Sequence, residues 1–158
     1  MNGAHLHLVV NHLPIITPII GVLILVIGLI LKSEIVKRIA YGLFILTSIT
    51  TFISMSTGEG AEEIAEGIAG VTHNVIHEHE EQAEVFALLA HVLGALSLFA
   101  FWLCWKRKAI AKMASYTVLF IAVLVIYQGR KVGTTGGEIR HTEIRADYKA
   151  PAHMEDED

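Results

Sequence analysis

Cysteine is nearly absent from this chain, and the one present, Cys104, cannot form a disulfide within a single copy. It stands beside Trp105 at the end of an apolar run, as a buried and inert thiol would. No Cys-x-x-Cys-His segment exists for covalent haem attachment, and no nucleophile elbow or phosphate-binding loop is present. No Lys or Arg precedes the first apolar run and no small-residue cleavage site follows a short one, so a cleavable signal peptide is not expected. Lys and Arg are missing again from Ser56 to Glu84, a stretch with eight glutamates. Charged residues make up only 18% of the chain, and no basic patch suited to nucleic acid is seen. The net charge of −4 says little by itself.

Apolar residues fill the space that charge leaves. They make up 53% of 158 residues, with a mean hydropathy of +0.54, above the roughly 45–50% of soluble domains. Four runs approach the ~20 residues a membrane span needs: Leu13–Leu31, Ile39–Met55, Ala83–Trp105 and Met113–Gly129. The first and third have no polar face to show water. The expected fold is all-α, a four-transmembrane-helix bundle over residues 1–146, with a disordered acidic tail over 147–158.

Two basic loops, Lys32 to Arg38 and Lys106 to Lys112, alternate with the acidic stretch. The positive-inside rule puts both loops in the cytoplasm, and both termini and the acidic loop outside. The C-terminal Arg130, Lys131, Arg140, Arg145 and Lys149 run against that rule, though acidic residues accompany them. Within the outer loop, Thr57-Gly58-Glu59-Gly60 reads as a turn, Ala61–Ala69 as a short helix, and Gly70 as its breaker. The third helix is expected to begin well outside the membrane and run straight into it. Gly133–Gly137 reads as a flexible turn after the fourth span.

Histidine is the most informative residue. Of nine, eight fall at the outer side or just inside it: His5, His7, His12, His73, His77, His79, His91 and His141; only His153 lies in the tail. Imidazole is the commonest protein ligand for haem iron and for Zn, Cu or Fe ions. In one helix His5 and His12 share a face, and His7 points elsewhere. Pro14 and Pro18 are expected to kink the chain and turn Asn11 and His12 toward the top of the bundle. On the third helix, His73, His77, Glu80, Glu84 and His91 form one stripe. His79, Ala83, Phe86, Ala90, Gly94, Ser97 and Phe101 form another, whose small residues admit a second helix or a flat cofactor. His91 sits at membrane depth, either as a functional group or as a neutral imidazole bonded to a neighbouring span. A di-iron carboxylate site lacks its Glu-x-x-His pairs. The His73–His77 pair could hold Zn, but His-Glu-x-x-His is absent. Glu59–Glu66 reads as a solvated acidic face.

Asn11-His12-Leu13-Pro14-Ile15 resembles the His-Phe-Pro-Ile opening of a family of small bacterial four-helix membrane proteins of unknown function. Thr57-Gly58 is similar to the family's Thr-Gly after the second span. His79 matches its histidine ahead of the third, and Gly136 to His141 its Gly-Gly-x-Leu-Val-Tyr-x-His-Gly ending. The resemblance covers roughly residues 5–145. Arg140 stands near the family's tyrosine, Thr142 replaces its final glycine, and His73, His77 and His91 are extra. Some relatives are fused to cytochrome c-type domains, which implies a cytochrome b-like protein binding haem b and transferring electrons. On that reading His12, His79 and His141 are the candidate ligands of haem or metal, gathered at the outer end. One haem is expected; a second would need His5, His7, His73 or His91, with His5 and His91 ranked next. Arg130, Lys131 and Arg140 are candidate partners for haem propionates.

The expected function is therefore that of a non-enzymatic b-type haem subunit of the bacterial inner membrane. Its partners would be the lipid bilayer and redox proteins such as a c-type cytochrome or a dehydrogenase, with a homo-oligomer left open. A His-rich metal-binding membrane protein and a cofactor-free structural subunit are the alternatives.

Overall fold

The structure is a computed structural model that describes residues 3–146 and 148. Apart from Tyr148, the expected tail 147–158, with His153, lies outside the described residues. The helices are α1 (Gly3–Val10), α2 (Leu13–Ile30), α3 (Glu34–Ser56), α4 (Gly58–Ala65), α5 (His73–Trp105) and α6 (Ala111–Arg140). A single 3-10 turn, Thr142–Ile144, follows, and no strand occurs among the described residues. Helices α2, α3, α5 and α6 are long and apolar enough to cross a membrane. They form a ring: α2 packs on α3, α3 on α5, α5 on α6, and α6 closes on α2.

The core is the inward stripe of each helix, including Leu25, Tyr41, Phe44, Phe86, Ala90, Leu93, Val118 and Val125. Large apolar side chains cover the outside as well, among them Leu23, Phe52, Leu88 and Phe120, each more than 60% exposed. Water would not support so continuous an apolar surface, whereas acyl chains would. Small residues set the helix spacing. A methyl group on Gly21 would lie 2.4 Å from the Phe44 ring, and one on Gly94 would lie 2.5 Å from Ser48.

The backbone breaks where proline dictates. Pro14 has no N–H for the Val10 carbonyl, so α1 ends there, and Ile15 and Ile16 instead bond the His12 carbonyl at 3.2 and 3.0 Å. At the opposite end, both basic turns close in the same way. Ser33 N reaches Gly28 O at 2.9 Å and Lys108 N reaches Leu103 O at 3.0 Å, with Lys32 and Arg107 in the left-handed region at φ 51. Glycine usually takes that position; here a cation takes it, beside the negative end of a helix dipole.

Two local expectations are corrected. The short outer-loop helix covers Gly58–Ala65 rather than Ala61–Ala69. The reason is tertiary: α1 lies on α4 with Gly3 and Gly60 backbones in contact, and a methyl group on Gly3 would be 3.0 Å from Gly60 Cα. Gly70 is in the left-handed region (φ 84), beyond the helix. Gly133–Gly137 is not a turn either. α6 runs through it to Arg140, because Gly136 lies under the His79 ring and Gly137 under Ile144. Packing outweighs the ~1 kcal/mol per residue that glycine costs a helix.

Candidate functional site

Toward the end of the ring that carries α1 and α4, two imidazoles stand on different helices. His7 projects from α1 and His79 from the first turns of α5. Both rings are half-buried. His7 Nδ1 lies 3.1 Å from the Ser54 carbonyl and 3.2 Å from Thr57 Oγ1. A carbonyl only accepts, so Nδ1 carries the hydrogen and Nε2 keeps its lone pair.

His79 is held in the same way. Its Nδ1 is 3.1 Å from Thr135 Oγ1, and that hydroxyl donates to the Lys131 carbonyl at 3.1 Å. The threonine oxygen therefore accepts from Nδ1–H, and Nε2 is again the free lone pair. Ring position depends on Gly136, since a methyl group there would lie 3.0 Å from His79 Cε1. Fixing Nδ1–H with a carbonyl or hydroxyl while Nε2 stays basic is how proteins orient imidazoles that bind metals. One turn on from His7, bonded to its carbonyl at 2.9 Å, is Asn11, whose Oδ1 is buried without a donor among the described residues. A buried acceptor lacking a partner costs about 1–3 kcal/mol, so it marks a place suited to a donor.

The other sequence candidates are exposed. His12 is exposed at the α1–α2 break. His141 is exposed beyond α6, with Nδ1 2.9 Å from Glu143 Oε1. The Glu143 carboxyl is held below the usual carboxylate range by its own backbone N–H and by His141. His5 is exposed on α1. His91 bonds Ser48 Oγ of α3 at 2.9 Å, one turn from the Gly94–Ser48 contact, the interhelical role weighed above. Arg140 is exposed in the last turn of α6. Arg130 and Lys131 line an open groove that also presents Glu78 and Glu138, an unfavourable surrounding for two propionates alone. His73 comes together with Glu62 and Glu66, their ligand atoms all within 4.8 Å of one another on the exposed surface.

His7 is the residue the sequence reading set aside. The signal lay in its i, i+4 relation to Asn11. Counting His5–His12 as one helix hid it, because the break before Pro14 takes His12 out of the phase of α1. No family model, no curated protein and no solved structure matches this chain.

Proposed function

We propose that this chain is a non-catalytic membrane subunit that holds a metal centre between His7 and His79, and that the centre is the iron of haem b. The carrying observation is the pair of locked tautomers: two half-buried imidazoles on separate helices, each with Nδ1 committed and Nε2 available. His7 and His79 would hold the haem iron, and iron held by two imidazoles would serve electron transfer rather than oxygen chemistry. When bound, haem supplies a one-electron couple. The chain's own residues do the rest: Ser54, Thr57 and Thr135 orient the rings, and Gly136 admits the His79 ring against α6. The family resemblance and the two-histidine donor set support haem over a bare ion.

A second reading, a metal-binding protein without porphyrin, draws support from Glu62, Glu66 and His73 on the same end. Optical absorption of the purified protein separates the two. A Soret band with six-coordinate b-type features is expected, whereas bound zinc or copper without that band would favour the second. The basic turns argue for an arrangement with the histidine end outside the bacterial inner membrane. An Ala65→Cys variant should react with an impermeant thiol reagent in intact cells, and Lys108→Cys should not.

A further inference from the structure

Beside the histidines, α5 and α6 leave a groove of about 500 Å³ that the haem reading does not use. Arg130 and Lys131 line it together with Glu78 and Glu138. Among the described residues none of these four side chains enters an ion pair, although two carry positive and two negative charge. Lys131 instead lies 5.3 Å above the Tyr127 ring. Opposite charges that share a groove without closing on one another complement a ligand carrying both signs.

The groove's position narrows the ligand further. It begins where the apolar part of α6 ends, at Tyr127, an aromatic residue of the kind found at bilayer interfaces. Toward the middle of the bundle the same flanks present exposed Val123 and Phe120 on α6, and Val85 and Leu88 on α5. A ligand seated here has a zwitterionic head in the groove and hydrocarbon along the helices. We infer that this groove binds the headgroup of phosphatidylethanolamine, its phosphate on Arg130 and Lys131 and its ammonium on Glu78 and Glu138. A quaternary ammonium is disfavoured: it cannot donate to the carboxylates, and the aromatic face it would seek is covered by Lys131.

Native mass spectrometry of the full-length protein in detergent, with phosphatidylethanolamine, phosphatidylglycerol and phosphatidylcholine supplied equally, tests this. Phosphatidylethanolamine should bind about tenfold more tightly than the other two, equivalent to ~1.4 kcal/mol. Glu78→Gln with Glu138→Gln should abolish that preference, and Arg130→Gln with Lys131→Gln should weaken both phosphatidylethanolamine and phosphatidylglycerol by about tenfold. All four residues face the groove surface, so helicity by circular dichroism should stay at the wild-type level in both variants. Equal binding of the three lipids, or a preference that survives the glutamate changes, overturns the assignment. Displacement by soluble phosphoethanolamine at lipid-like concentration also overturns it, since the ligand would then be a soluble zwitterion. None of these readouts depends on haem.

Discussion

The two ends of the bundle solve the problem of polar groups in a membrane protein in opposite ways. At the basic-loop end, Lys37 is buried and reaches Glu34 at 2.6 Å. Cys104 Sγ–H donates to the same carboxylate, and Tyr41 and Ser115 bond at 2.8 Å in the core. Every one of these groups has its partner inside the protein. At the histidine end, Nδ1 of each half-buried imidazole is bonded within the protein, and Asn11 Oδ1 is buried with no donor among the described residues. A closed network holds helices together; imidazoles whose Nδ1 alone is bonded within the protein keep a nitrogen for a ligand. The lone cysteine thus belongs to the closed, internally bonded end.

Substitutions can break this contrast, beginning with the largest effect on folding. Glu34→Ala should destabilise the protein by about 2 kcal/mol in a detergent melting assay. It strands the buried Lys37 ammonium, a lesion worth ~3–5 kcal/mol when fully buried and less here because Glu34 is half exposed. Lys37→Met should cost less, as the carboxylate it leaves behind can reach solvent. Neither should alter metal content, since both lie at the far end. If Glu34→Ala abolished the absorption spectrum at normal expression, the two ends would not be separable.

Thr135→Val should act in the opposite sense, with small loss of stability and about 10–100-fold weaker metal or haem affinity, the usual consequence of removing the partner that orients a histidine ligand. Gly136→Ala sharpens the point, because its methyl group would force the His79 ring to move by a few tenths of an ångström; a weakened spectrum with the helix intact is expected. The smallest effect belongs to the turn after α6. A carboxyl held low stabilises only above its unfolded value and loses that contribution as pH falls through the lower folded value. Acidification below the ordinary carboxylate range should therefore loosen Thr142–Ile144, measured by amide exchange, and leave α5 and α6 protected.

Much of the scaffold was legible in the sequence. Hydropathy marks the four spans, and the small-residue stripe below His79 is indeed the buried face of α5, with Phe86, Ala90, Gly94 and Ser97 inside. These features depend on burial and a 3.6-residue period, which a linear pattern carries well. The glycine-rich end of α6 was not legible, since local propensity argues for a turn and only the contacts of Gly136 and Gly137 with distant residues reverse it. His7 escaped for a related reason. Its partners, Ser54 and Thr57, lie 47 and 50 residues away, and no spacing rule links them.

The most direct test is the absorption spectrum and metal content of purified wild-type protein beside His7→Ala, His79→Ala, His12→Ala and His141→Ala, all at matched expression. The account predicts a b-type haem spectrum in the wild type, its loss or conversion in the His7 and His79 variants, and its retention in the other two. A wild-type spectrum in either His7→Ala or His79→Ala, with loss in His12→Ala or His141→Ala, would contradict it.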